Sequence, residues 1–176
     1  VYINKSSCSA IGECGLDFAS KYKSNKETQI RAFDLQLSIA KEFGLPLSIH
    51  CVKAWGAMLE LLKNYEPLPA PFIIHSFYGS AEVAQLLIKL GGFISISKTS
   101  VSNPDKSYPV IKSIPFDRLL IETDMTSGSP EYTSQKHLHN LKNIYNTVSE
   151  IKNVPLKETI VRIWDNGRLN GTLFAD

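Results

Sequence analysis

The chain has 176 residues, of which 43% are hydrophobic, and its formal net charge is +2. This length suits one folded domain over residues 1–176 with a single sizeable core. No run approaches the roughly 18 consecutive apolar residues of a membrane span, and no basic-then-apolar leader opens the chain, so the sequence argues against membrane and secreted classes. Basic and acidic residues are interspersed, which argues against a general polyanion-coating protein.

Five short apolar runs, separated by helical patterns, predict the strands of a parallel sheet covered by helices. In chain order the strands are predicted over residues 10–13, 46–50, 72–75, 93–97 and 119–124. Helices are predicted over residues 24–44, 54–65, 81–90, a short stretch ending at 113, 135–151 and 156–169, with loops over 14–23, 102–107 and 126–134. Ser24 and Glu27 fit a capping box, Gly44 fits a left-handed helix end, and Ser80 fits an N-cap.

The number of strand–helix units predicts the fold class. A closed (β/α)8 barrel needs about 250 residues, and five of its eight units occupy roughly the length of this chain. We therefore expect an α/β fold of TIM-barrel type, here a C-terminal portion of about five βα units that lacks the first strands. The chain begins at Val1, only about ten residues before the first residue of metal-ligand type, so we expect a cut or processed start. The alternative is an open doubly wound sheet, although no Gly-rich phosphate loop follows the first strand.

Four of the predicted strands end in residues that commonly bind metals. These are Glu13, His50, His75 and Asp124, which end the first, second, third and fifth strands. Chemistry in parallel barrels gathers at the carboxyl ends of the strands, so the four side chains are expected to converge. Mixed imidazole and carboxylate ligands suit a divalent ion without selecting one. The competing interpretation is a hydrogen-bonded polar network on the same rim.

Residues on the adjoining loops are candidates for substrate contacts. Asp17 follows Glu13 and could orient a ligand or a water, while Lys53 and Tyr78 could hold phosphates and stack bases. Each also has an ordinary surface or turn interpretation.

Three further titratable residues are weaker metal candidates. Glu122 shares a side with Asp124 only if the strand continues through both, so Asp124 is the better ligand candidate. His137 and His139 lie on a predicted helix, where residues two apart point to different sides, so they are not expected to share one ion.

Cys8, Cys14 and Cys51 lack paired spacings, which suits a reducing compartment and predicts a cytoplasmic or nuclear protein.

Four motifs in this order resemble the TatD-related deoxyribonucleases, which are metal-dependent hydrolases with a (β/α)8 barrel. They are residues 11–18 (IGECGLDF), 47–51 (LSIHC), 74–79 (IHSFYG) and 120–124 (LIETD). The resemblance implies that Glu13, His50, His75 and Asp124 bind metal, that Glu13 bridges two ions, and that Asp124 assists the attacking water. Glu13 and Asp124 would thus be the catalytic residues. The implied substrate is DNA, single-stranded or at its ends, with exonucleolytic cleavage.

The chain also departs from the family pattern. No H-x-H pair precedes Glu13, Val52 stands where many members have arginine, and Thr126 stands where many have proline. Residues 139–142 keep only part of a downstream motif. Two alternatives therefore remain: a sister amidohydrolase-type enzyme acting on a small ester, amide or lactone, or a truncated inactive binding form that lacks the H-x-H ligands.

Overall fold

In the part of the chain that the structure describes, five strands alternate with helices, as the sequence predicts. The computed structural model describes residues 8–124 and 133–169. The strands are β1 (Ile11–Asp17), β2 (Leu47–Val52), β3 (Phe72–Ile74), β4 (Gly92–Ile96) and β5 (Leu119–Ile121). The α-helices are α1 (Lys26–Phe43), α2 (Trp55–Asn64), α3 (Ala81–Lys89), α4 (Pro104–Ser113), α5 (Ser134–Lys152) and α6 (Leu156–Leu169). Apart from its last two positions, the loop predicted over 126–134 lies outside the described residues.

The five described strands form one parallel sheet in the order β1-β2-β3-β4-β5. Each strand therefore pairs with its neighbour in the chain. This is the order of a (β/α)8 barrel, whereas a doubly wound sheet places its first strand in the interior and reverses direction there. The strand order favours the barrel-type interpretation over the doubly wound alternative.

The two faces of the sheet carry different residues. Phe72 and Ile74 of β3 belong to the main hydrophobic cluster, which also contains buried residues of all six helices. Ile73, between them, belongs to a separate small cluster with Phe93 and Leu120 on the opposite face. Because strand side chains alternate between faces, the residues two positions after Ile73, Phe93 and Leu120 lie on the same face as these three.

The first strand is longer than predicted. β1 runs to Asp17, and Leu16 is fully buried beside its β2 partner Cys51, so the predicted loop was wrong in its first four residues. The burial of Leu16 supplies the reason, since an apolar side chain inside the core favours continued strand pairing over a loop. The structure therefore places Glu13 within a strand rather than at its end.

Other boundaries also differ from prediction. β2 continues two residues past His50 to Val52, and β5 ends at Ile121, so Asp124 lies beyond the strand that it was predicted to end.

The capping box at Ser24 was wrong, because a 3₁₀ turn occupies Ser20–Asn25 and α1 begins at Lys26 without a side-chain cap. The predicted loop over 102–107 is partly helical, since α4 begins at Pro104, a residue well suited to a first helical turn.

The remaining capping predictions are confirmed. Gly44 ends α1 in the left-handed conformation with φ 65°, and the Ser80 hydroxyl accepts a hydrogen bond from the Val83 N–H at 3.3 Å.

Two cysteines pack as small apolar residues in the main core. Burial raises the pKa of both the Cys14 and the Cys51 thiol to about 12, so neither ionises near neutral pH. Over residues 8–124 and 133–169, no helix combines the length and the apolar character needed to cross a bilayer.

Gly15 is predicted to be essential for pairing β1 with β2. Its φ is +129°, and a Cβ there would lie 2.1 Å from the backbone oxygen of His50. We expect Gly15→Ala to lower the free energy of unfolding by about 3 kcal/mol or more, through backbone strain and the clash with β2. Urea titration measures this change.

Gly56→Ala is the matched control, because nothing lies within 4 Å of the added Cβ and its φ needs no glycine. It should be neutral or stabilise α2 by up to about 1 kcal/mol. Equal unfolding free energies for the two variants would contradict the close approach of β1 to β2.

Candidate metal centre

Three side chains, from β1, β2 and the residue after β3, converge at one rim of the sheet. Glu13 lies within β1, His50 lies within β2, and His75 is the first residue after β3. Each offers one ligand atom, and these atoms all lie within 4.8 Å of one another. The structure thus brings together three of the four residues predicted to bind metal.

The sheet ladder fixes the position of His75. Its backbone N–H donates to the Ile49 carbonyl at 3.0 Å, and the Phe77 N–H donates to the Ser95 carbonyl at 2.9 Å. The segment after β3 is therefore bonded to β2 on one side and to β4 on the other. Ser76, between them, adopts a left-handed φ of 46°, which re-aims the chain at this point.

One oxygen of Glu13 is shared between the two imidazoles. Glu13 Oε1 lies 3.0 Å from His50 Nδ1 and 3.2 Å from His75 Nε2. The two rings are stacked with centroids 5.7 Å apart. Glu13 is also 53% exposed, so its carboxylate faces the solvent from which a cation and a substrate would arrive.

Glu122 holds the other side of His75. Glu122 Oε1 lies 2.8 Å from His75 Nδ1, and the Ser95 hydroxyl donates to Glu122 Oε2 at 2.7 Å. The hydrogen bond with Glu122 raises the pKa of His75 against the opposing effect of burial. Burial also acts to raise the pKa of Glu122, but the hydrogen bonds from His75 and Ser95 outweigh it and leave that pKa lowered.

This contact determines which nitrogen of His75 can bind a ligand. With Nδ1–H donated to Glu122, a neutral His75 directs the lone pair of Nε2 at the Glu13 oxygen 3.2 Å away. Two electron-rich atoms at that distance repel each other unless a proton or a cation lies with them. Imidazole nitrogens and carboxylate oxygens are ligands of zinc, manganese and iron, and a carboxylate that orients the ligating histidine is the usual support of such sites. The residues present therefore fit a divalent metal.

Two acidic residues that the sequence predicts for the site, Asp124 and Asp17, lie outside the donor group of Glu13, His50 and His75. Asp124 is the third residue after β5, is exposed and adopts φ 49°. It is not part of the three-residue donor group, but its charge helps to raise the pKa of His75. Asp17 places Oδ2 3.9 Å from His50 Nε2, and its Oδ1 accepts a hydrogen bond from the Ala19 N–H. An open cleft of about 380 Å³ is lined by Glu13, Asp17 and His50.

The other candidates do not belong to the three-residue donor group. Lys53 directly follows β2 and is exposed, and Tyr78 is 52% exposed on the loop after β3. The helical placement of His137 and His139 is confirmed, because both lie on α5, where His137 Nδ1 contacts the Thr123 hydroxyl at 3.1 Å.

Sequence reasoning missed the role of Glu122, which it ranked below Asp124, and of Ser95. The available signal was alternation: Ser95 and Glu122 each lie two positions after a residue of the small second-face cluster, Phe93 and Leu120. His75 has the same relation to Ile73. Placing Ile73, Phe93 and Leu120 on the same face of β3, β4 and β5 would have placed Glu122 and Ser95 beside His75 on that face.

In the metal-free protein, Glu122→Gln should lower the pKa of His75 towards its ordinary value of 6.5, because the carboxylate that stabilises the imidazolium is lost. Imidazole ¹⁵N chemical shifts followed by NMR against pH measure this change. The resonances of His139, whose ring contacts Asn143, serve as the internal reference. An unchanged or higher pKa of His75 would contradict the contact.

The same pair predicts a pH window for stability. The pKa of His75 is raised in the folded state, so its stabilisation is complete below 6.5 and is lost as pH rises through the raised value. The pKa of Glu122 is lowered, so its contribution is complete above 4.5 and is lost as pH falls through the lowered value. The difference in unfolding free energy between wild type and Glu122→Gln should be largest between these two limits.

Comparisons with known proteins identify the family. The profile of the family described as TatD related DNase matches residues 1–169. A Bacillus subtilis relative, YabD, described as an uncharacterized metal-dependent hydrolase, is 36% identical over 152 residues, which cover 85% of this chain and 59% of the relative. A Pantoea vagans relative, named the 3'-5' ssDNA/RNA exonuclease TatD, is 33% identical over 175 residues, which cover 94% of this chain and 65% of the relative.

The fold agrees with this assignment. The crystal structure of YJJV, a TatD homologue from Escherichia coli K12, matches with a TM-score of 0.79 and 26% identity over 95% of this chain and 64% of that chain. The α/β fold of TIM-barrel type is thereby confirmed. The chain spans less than two thirds of the length of each of these three proteins. Its match to the profile over nearly its whole length shows that the chain belongs to the TatD related DNase family.

Proposed function

We propose that this protein is a metal-dependent hydrolase that cleaves phosphodiester bonds in DNA, single-stranded or at its ends, by an exonucleolytic mode. The observation that carries the proposal is the convergence of Glu13, His50 and His75 on one rim, in a chain of this family. The Pantoea vagans relative is named for exonuclease action on single-stranded DNA and RNA, which supports the substrate class.

Glu13, His50 and His75 would hold a divalent ion, and Asp124 would join Glu13 at a second ion in the whole protein, with Glu13 between the two. Such an ion, when bound, supplies an acidified water near neutral pH and stabilises charge on the phosphoryl oxygens. Glu122 and Ser95 hold the ring of His75. With Nδ1 engaged by Glu122, Nε2 would be the nitrogen left to bind such an ion.

Asp124 is proposed to accept the proton of the attacking water. Asp124 is exposed and is the third residue after the end of β5. Its charge helps to raise the pKa of His75. A general base must lie within hydrogen-bond reach of its proton donor, so this role requires the attacking water to lie between Asp124 and the three-residue donor group.

Substrate contacts are proposed for the loops beyond β1, β2 and β3. Lys53 would hold a backbone phosphate, Tyr78 would stack on a base, and Asp17 would orient His50 or a water. The cytoplasm or nucleus is the proposed compartment, since Cys8, Cys14 and Cys51 are all free thiols, as in a reducing environment.

Substitution of either imidazole tests the proposal. We expect His50→Ala and His75→Ala each to reduce metal-dependent cleavage of a single-stranded oligonucleotide by at least about 100-fold, because a ligand is lost from a three-donor group. Calorimetric titration with Mn²⁺ and Zn²⁺ should show weakened binding in parallel. His139→Ala is the control, since that ring lies on α5 and contacts Asn143.

The outcomes also separate the alternatives. Retained cleavage in both histidine variants would remove the donor group from the mechanism. Hydrolysis of small esters or lactones without cleavage of DNA would favour a sister hydrolase. Binding of DNA without any hydrolysis, at saturating metal, would favour the inactive binding form.

A further inference from the structure

A second cavity lies between the loop after β3 and helix α4. Its volume is about 500 Å³, within the range of small-molecule pockets. One wall is the loop and the start of α3, and the other is α4. The lining includes Phe77, Tyr78, Ile96, Ser100, Lys106 and Val110.

The cavity is joined to the metal centre by a short segment of chain. His75 is a metal-ligand candidate and Tyr78, three residues later, lines the cavity. Three residues span at most about 11 Å between Cα atoms, which is the scale of one or two nucleotides of an extended strand. The Ser76 hydroxyl also lies 2.7 Å from the Ser97 hydroxyl, and Ser97 bonds in turn to Ser100 in the cavity lining.

The wall that carries Tyr78 is rigidly packed. Phe77 is buried at 2% exposure, and its ring lies 5.1 Å from that of Trp55. A Cβ at Gly79 would lie 2.6 Å from the Phe77 ring, so the loop approaches the core as closely as a glycine permits. Tyr78, flanked by these contacts, lines the cavity and is 52% exposed.

The lining indicates the kind of ligand. Aliphatic and aromatic side chains dominate the walls, which suits a flat and largely apolar group. Lys106 is exposed on the α4 wall, where it can attract an anion, while Glu82 on the opposite wall would repel one. A nucleotide combines the two features, since its base stacks on aromatic rings and its phosphate pairs with a cation.

We propose that this cavity binds the base of a nucleotide next to the one at the metal centre, stacked on Tyr78, with its phosphate at Lys106. The proposal rests on the proposed nuclease function and adds a subsite to it. The subsite would anchor the strand by base stacking, which tolerates any sequence.

The test measures binding of a fluorescein-labelled oligothymidylate whose phosphorothioate linkages resist hydrolysis, in Mg²⁺, by fluorescence anisotropy with the whole protein. Tyr78→Ala should weaken binding about 5-fold or more, because a stacked base is lost, and Tyr78→Phe should retain it. Tyr108→Ala is the matched control, since Tyr108 is 40% exposed on α4 and does not line the cavity.

A second set of oligonucleotides carries one abasic residue at each position in turn. At one position the abasic residue should weaken wild-type binding and remove the difference between wild type and Tyr78→Ala. The base subsite would be overturned if Tyr78→Ala bound the intact probe as tightly as wild type does. It would also be overturned if Tyr78→Ala weakened binding of the intact probe and of every abasic probe by the same factor.

The cleavage assay on His75→Ala keeps the two proposals apart. If wild type cleaves and binds DNA, His75→Ala does not cleave, and Tyr78→Ala binds as wild type does, the subsite alone fails. If wild type neither binds nor cleaves the oligonucleotide, the nuclease function and the subsite fail together.

Discussion

The spacing of parallel strands is the constraint on which the candidate metal centre depends. Neighbouring strands lie about 4.8 Å apart, so side chains at one height on adjacent strands are already near the separation of two ligands of one ion. His50 and His75 directly follow the paired residues Ile49 and Ile74 and so lie at one height, whereas Glu13 lies two residues before Gly15, the β1 partner of His50. The ligand atoms of all three side chains lie within 4.8 Å of one another. Long side chains are needed only to close the remaining gap, which Glu13 does by placing one oxygen against both rings.

The second constraint is the change from apolar to polar residues along one face of the sheet. Ile73, Phe93 and Leu120 are buried together on that face, and the residues two positions later are His75, Ser95 and Glu122. Each pair shares a side because strand side chains alternate. The apolar layer supports a polar layer directly above it, and the hydrogen bonds of Glu122 with His75 and Ser95 satisfy groups that burial would otherwise penalise.

Much of this arrangement could be predicted from the sequence, because it depends on local patterns. The apolar runs predicted all five strands, and the repeated occurrence of histidine at two strand ends predicted His50 and His75 as neighbours. The role of Glu122 was missed because it depends on the phase of β5 relative to β3 and β4, which is set by hydrogen-bond pairing between strands. The extension of β1 was missed for a similar reason, since the pairing of Leu16 with Cys51 of β2 and its burial in the main core both involve residues distant in the sequence. The cavity beside Tyr78 arises from the packing of α4 against a distant loop, which no local pattern encodes.

The contact between Glu122 and His75 does not by itself select a metal over a proton. A carboxylate on Nδ1–H makes Nε2 a stronger base, and a stronger base binds both H⁺ and a divalent ion more tightly. Selection must come from the other donors. A proton on His75 Nε2 can satisfy only one oxygen of Glu13, whereas a divalent ion can accept that oxygen, His75 and His50 together. The geometry of three strands, rather than the basicity of one ring, is therefore what makes this rim a candidate metal centre.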